Sequence, residues 1–229
     1  MWYDTDMGCP HRKNDGQKGD ETMFYIENNK IEPGELLFAD DFRSAPLCEN
    51  WEITGGEWKT ENGVCIGLYR ENAGGLIYSK RQFPGDVMLD FYAEIVPPCT
   101  NDLNFSFRAR GWDYEKGDAD IGYIAGLNGW YINRTGIERY PELNITAMTE
   151  AFKAESGREY HIQTGIVGRV AFIAVDGVVV VSLMDPHPID REDCCRVGLG
   201  TYCSHIRFRD FRLYRPTVTP VEMRYTPVF

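Results

Sequence analysis

Val87-Met88-Leu89-Asp90-Phe91-Tyr92-Ala93-Glu94-Ile95 reads as a strand with two different faces. Successive side chains of an extended chain alternate, so Val87, Leu89, Phe91, Ala93 and Ile95 share one side, and Met88, Asp90, Tyr92 and Glu94 the other. Leu103-Asn104-Phe105-Ser106-Phe107-Arg108-Ala109-Arg110 repeats this logic, with Leu103, Phe105, Phe107 and Ala109 expected inward. A core covered from one side by each of two such strands requires a second layer.

Working outward, the turn chemistry agrees. Asn62-Gly63 and Asp176-Gly177 are dipeptides that accept the positive φ angles of tight hairpins, and each sits between strand-like runs. The second joins Arg169–Val175 to Val178–Leu183, apolar enough for a strand covered on both faces. In Ile206-Arg207-Phe208-Arg209-Asp210-Phe211 the period of two slips by one residue, which predicts a bulge near Asp210. From Glu35 onward at least ten short runs of this kind succeed one another between Gly, Pro, Asn and Asp, with one small helical turn expected in Met148–Glu155. No helical periodicity interleaves to make βαβ units. The expected fold class is therefore all-β, a two-sheet antiparallel jelly-roll sandwich spanning residues 35–216. Residues 1–34 read as a polar N-terminal arm whose apolar island Met23-Phe24-Tyr25-Ile26 could wrap the sandwich, and residues 217–229 as a C-terminal tail.

Composition narrows the function classes. A 229-residue chain that is 43% hydrophobic and 13% aromatic can bury one sizeable core. A net charge of −11 argues against nucleic acid, which needs a concentrated cationic face. No run approaches the length of a membrane helix, and Met1-Trp2-Tyr3-Asp4 lacks a basic-then-apolar leader, so a cytoplasmic protein away from membranes is expected. The seven cysteines cluster only at Cys194-Cys195-x₇-Cys203, without the paired spacing of a zinc site, and are expected to be reduced, with no metal or cofactor bound.

The order of features resembles the concanavalin A-like lectin/glucanase (laminin-G-like) superfamily. It is carried by Leu37-Phe38-Ala39-Asp40-Asp41-Phe42, Trp51-x₆-Trp58-x₄-Gly63, the paired long strands, the Val175-Asp176-Gly177-Val178 hairpin and the closing Ile206–Phe211 strand. Within it the chain looks most like small uncharacterised bacterial members from plant-polysaccharide utilisation and like 3-keto-disaccharide hydrolase domains. The resemblance implies a ligand groove on the concave sheet, with carbohydrate as the usual ligand, and, in some relatives, a structural calcium that Asp40, Asp41 and Asp210 could supply. Retaining glucanases of this fold carry Glu-x-Asp-x-x-Glu, which holds two carboxylates roughly 5 Å apart. This chain has no such run, and Tyr160-His161-Ile162-Gln163 has the residue types of the alginate-lyase-like members in a different order.

Glycines, aromatics and amides concentrate in Gly122–Tyr140. Rings cover the apolar face of a pyranose while polar side chains bind its hydroxyls, so Tyr123, Trp130 and Tyr131 are candidate ligand contacts, with Asn104, Arg108 and His205 from other strands. The same stretch also reads as a hairpin turning at Asn128-Gly129, with Tyr123 and Trp130 as core. His161 and Glu138 are the candidate proton-transfer groups. The expectation is a protein that handles a mono- or oligosaccharide from plant-polysaccharide breakdown. Three versions stay open: a hydrolase or lyase acting on a 3-keto or acidic sugar, a lectin-like binding module without turnover, or a self-association domain forming a homodimer.

Overall fold

The computed structural model describes residues 23–69, 74–131, 133–141 and 146–222. Most of the expected arm, including Cys9, and the last seven residues of the expected tail lie outside the described residues.

Two antiparallel sheets face one another. The nine-stranded sheet runs β1 (Phe24–Ile26), β2 (Asn29–Asp40), β18 (His205–Pro220), β7 (Val87–Ile95), β14 (Glu159–Val167), β15 (Val170–Val175) and β16 (Val178–Met184), and the hairpin of β4 (Glu57–Glu61) and β5 (Val64–Leu68) adds to β18. The seven-stranded sheet runs β13 (Thr146–Thr149), β12 (Arg134–Tyr140), β11 (Gly122–Trp130), β8 (Leu103–Ala109), β17 (Arg196–Tyr202), β6 (Gly74–Ser79) and β3 (Trp51–Ile53). A short hairpin of β9 (Trp112–Asp113) and β10 (Asp118–Ala119) stands beside it. The all-β two-sheet sandwich expected from the sequence is the fold observed. Among the described residues no helix is long and apolar enough to cross a membrane.

The core follows from alternation. Leu89, Phe91, Ala93 and Ile95 of β7 meet Leu103, Phe105 and Phe107 of β8 across the sandwich, all essentially without solvent exposure. Phe91 touches Phe105, Phe208 and Phe211 with ring centroids 5.6–6.0 Å apart, and Trp51 closes on Phe211 edge-on at 5.2 Å. Each such ring contributes about 1.5–3 kcal/mol by leaving water. The Asn62-Gly63 and Asp176-Gly177 turns have φ of 53° and 82°, and 49° and 79°, which the β-branched residues around them could not adopt.

Irregular positions steer the site. Asp210 has φ 54° and the β7–β18 register shifts there, the bulge its sequence predicts. Arg108 has φ 44°, and the register with β17 shifts beside it, so the alternation of β8 breaks one residue early. Ala109, expected inward, consequently joins Leu76, Tyr78, Ala119 and Ile124 on the outer face. Asn128, expected to turn a hairpin, sits in β11 with φ 58°, and its amide donates to the carbonyls of Thr100 and Ala154. The β11–β12 connection comes after Trp130 instead. No helix forms across Met148–Glu155; Met148 pairs with Gly136 in β13.

β1 and β2 form a hairpin that places Phe24, Ile26 and Ile31 over Met88, Phe172 and Ala174 on the outer face of the nine-stranded sheet, with the Phe24 and Phe172 rings 5.0 Å apart. β1 thereby reaches β16, the opposite edge of its own sheet.

Candidate functional site

The outer face of the seven-stranded sheet has a floor of small residues. Gly126 pairs with Gly136 and with Asn104, and Gly200 pairs with Asn104 from the other side, so the four share one face. A Cβ at Gly126 would collide with the Asn104 amide oxygen, and one at Gly136 would sit 3.1 Å from the Trp130 ring. These glycines let neighbouring side chains lie flat on the sheet. Trp130 hydrogen-bonds Glu138 from that position.

Alongside lies a cleft of about 420 Å³ lined by Asn104, Trp112, Asp118, Ile124, Tyr140 and Tyr202, among others. Trp112 and Asp118 come from the β9–β10 hairpin, which packs Trp112 and Ala119 onto Tyr78 and Ile124. Glu138 stands on the cleft's β12 margin, two residues before Tyr140 and directly opposite Ile124.

The polar groups are unusually placed. Asn104 donates to Asp102 Oδ1 at 3.4 Å, while its own Oδ1 is buried with no hydrogen-bond partner among the described residues. Asp102 also accepts from the Asn101 amide at 3.1 Å, and burial pushes its carboxyl up to about 6 against the pull of those two amides. Burial raises Glu138 as well; the Trp130 hydrogen bond opposes that rise and the negative Asp118 adds to it. Among the described residues none of Asp102, Asp118 and Glu138 forms an ion pair.

The structure therefore brings together Asn104, Trp130 and Glu138 of the residues chosen from sequence. Tyr131, at 71% exposure, stands in the turn beyond Trp130. Tyr123 points inward and donates to Asp185 Oδ2 at 2.6 Å, and Arg139 reaches the same carboxylate at 3.0 Å. Arg108 donates to the Ile189 carbonyl at 2.8 Å and pairs with Asp86 at 3.0 Å. Tyr123 and Arg108 thus fasten the 185–195 loop to the sandwich instead of lining the cleft.

His161 lies on the other sheet, on its outer face, buried, 3.0 Å from Asp90 Oδ1 and stacked on Tyr92 at 4.9 Å. The sandwich core separates it from Glu138, so the two candidate proton-transfer groups do not share a site. His205 is also on the nine-stranded sheet, in a groove of about 540 Å³ with Lys59, Ile66, Leu68 and Arg207, where burial followed by the Arg207 charge lowers its pKa.

Asp40 and Asp41 are engaged in local hydrogen bonds. Asp40 accepts from the Phe42 amide, Asn50 and the Trp51 indole, Asp41 caps the turn at Arg43 and Ser44, and Asp210 pairs with Arg209. Among the described residues no three His, Cys, Asp or Glu side chains converge as metal ligands would. Cys194 and Cys195 are buried, and burial lifts the Cys194 thiol to about 11.

Reading the sequence alone missed Trp112, Asp118 and Tyr202 as cleft residues. Trp112 and Asp118 lie either side of the Glu115-Lys116-Gly117 turn, a hairpin signal, with Trp112 opposite Ala119 and Asp118 opposite Asp113. Tyr202 carries no local signal; it reaches the cleft because β17 pairs with β8 and β6.

Comparison with solved structures places this geometry in context. A protein of unknown function with galectin-like fold from Bacillus subtilis superposes with TM-score 0.63 at 11% identity, over 82% of this chain and 99% of that one. The fold is a jelly roll similar to the galectin-like one. The carbohydrate-binding module CBM66 from Bacillus subtilis matches this jelly roll with TM-score 0.54 at 17% identity, covering 72% of this chain and 95% of that one. The Emp47p carbohydrate recognition domain gives 0.55 at 11%, covering 86% and 98%. At these identities the likeness establishes the jelly roll alone. No family model and no curated protein matches the sequence.

Proposed function

We propose that the protein binds a mono- or oligosaccharide on the outer face of its seven-stranded sheet, in the cleft between β12, β17 and the β9–β10 hairpin. The observation that carries the reading is the Asn104 carbonyl oxygen, buried without a donor among the described residues on a glycine floor beside Trp130 and the Tyr140 and Tyr202 rings. A buried acceptor left unmade costs about 1–3 kcal/mol, which a sugar hydroxyl would recover on binding. The rings offer the apolar wall a pyranose needs. The carbohydrate recognition named for two of the structural neighbours supports the same ligand class.

Binding without turnover is the favoured form, because Glu138 and His161 are on opposite sides of the molecule. One observation favours a hydrolase as the second reading: the Glu138 carboxyl is raised by burial, as a general acid requires. Calorimetric titration with neutral, amino, N-acetylated and uronic oligosaccharides, with products followed by mass spectrometry, tests both. Affinity falling at least tenfold in Trp130→Ala and Asn104→Ala supports the site, whereas unchanged affinity in both removes it. Product that disappears in Glu138→Gln would establish the hydrolase.

A further inference from the structure

Among the described residues the cleft has rings and carboxylates but no cation. Asn104, Trp112, Asp118, Tyr140 and Tyr202 line it, Glu138 stands at its margin, and Asp102 lies behind Asn104; among the described residues no lysine or arginine joins the lining. The cations nearest in sequence are engaged elsewhere: Lys116 with Asp113 at 3.0 Å, Arg110 with Asp120, and Arg134 with Glu150. Arg108, the one arginine on the strand that floors the cleft, is turned away to Asp86 and the Ile189 carbonyl.

We propose that the cleft selects a cationic sugar, a 2-amino-2-deoxy hexose or its oligomer, over neutral and acidic ones. This rests on the saccharide reading above and names the ligand class of the same site.

Three carboxylates without a counter-cation among the described residues make the cleft a region of negative potential. The Tyr140 phenol registers this: burial raises its pKa first, and Asp118 and Glu138 raise it further. Among the described residues no ammonium or guanidinium group acts on Asp102 or Glu138 to bring their carboxyls back down. A ligand ammonium would supply the missing partner while the ring faces of Trp130, Trp112 and Tyr140 attract its charge. A uronic acid would add a fourth carboxylate where nothing neutralises it, a built-in rejection of that class. The Asn104 oxygen suits either an ammonium or a hydroxyl, since both donate.

The test compares four probes by calorimetry at neutral pH and low salt: a glucosamine trisaccharide, its fully N-acetylated form, a glucose trisaccharide and a galacturonate trisaccharide. The glucosamine trisaccharide is expected to bind about tenfold or more tightly than its N-acetylated form, as one charge-assisted hydrogen bond predicts, and the galacturonate not at all. Trp130→Ala, which keeps every charge, should lose the glucosamine trisaccharide, and Glu138→Gln, which keeps every ring, should cut the ratio of glucosamine to glucose trisaccharide affinity by about tenfold. Neutral or acidic trisaccharides binding as tightly as glucosamine would overturn the cation preference and leave the saccharide site standing. Spermine binding as tightly as glucosamine, or Trp130→Ala binding it unchanged, would also overturn it, since charge alone would then suffice. Absence of binding by all four sugars would overturn the saccharide reading and this inference with it.

Discussion

The Tyr123 phenol donates a 2.6 Å hydrogen bond to Oδ2 of Asp185, a carboxylate with no solvent exposure. Arg139 completes the pair from β12, and the Ile189 amide donates to the same phenol oxygen at 3.2 Å. Tyr123→Phe leaves a buried charge one donor short and an amide without its acceptor. It should lower unfolding stability by about 2–3 kcal/mol and leave saccharide affinity unchanged, as read by urea denaturation and calorimetry on the same sample. Lost affinity without lost stability would instead return Tyr123 to the binding site.

Asp102 gives a pH signature. Its carboxyl is raised from 3.8 to about 6 in the folded protein, so the fold holds that proton more tightly than the unfolded chain does. The cost of ionising it is absent below the unfolded pKa, grows through the interval between the two values, and is fully present above about 6. Asp102→Asn should therefore raise stability by about 1–2 kcal/mol at pH 7.5, after the loss of one acceptor is counted, and by nothing at pH 4. Melting curves at the two pH values show whether the gain appears only at the higher one.

The Asp90 carboxylate accepts from His161 Nε2 and from the Gln163 amide, each at 3.0 Å, and is 5% exposed. Removing the imidazole with His161→Ala should cost about 1–3 kcal/mol in stability while any saccharide binding or product formation persists at the wild-type level. A catalytic defect with normal stability would contradict the placement of His161 away from the cleft.

Gly126→Ala puts a methyl against the Asn104 amide oxygen and the Leu103 carbonyl. It should weaken saccharide binding at least as much as Asn104→Ala, because the floor must rise or the amide must turn, and cost about 1–3 kcal/mol in stability. Titration and denaturation of the one variant report both effects.

The layers of this fold were legible because alternation is local. Val87–Ile95 is β7 with the expected inward face, and Asn62-Gly63, Asp176-Gly177 and Asp210 carry their backbone geometry in their residue types. The binding face was harder because it is assembled from distant strands. Asn104 was recognisable as a polar group facing away from the core, and Trp130 and Glu138 as an aromatic and a carboxylate of the Gly122–Tyr140 stretch, but Tyr202 joins them only through pairing. Arg108 and Tyr123 show the opposite failure: both have the chemistry of ligand contacts, and a bulge in one case and inward alternation in the other spend that chemistry on a loop. Asp90 and Arg108, close in sequence and opposite in charge, fall on different sheets and never meet.

The hairpin of β1 and β2 has a consequence for how copies of this protein behave at high concentration. A sheet edge offers unpaired amides and carbonyls to any passing strand, and β1 and β16 are the two ends of the main path of the nine-stranded sheet. Because β1 folds over to β16, each end screens the other, and Phe24 and Ile26 seal the apolar strip between them. Loss of residues 23–28 would uncover Met88 and Phe172 and free β16 at once, turning a closed surface into one that recruits strands from its neighbours.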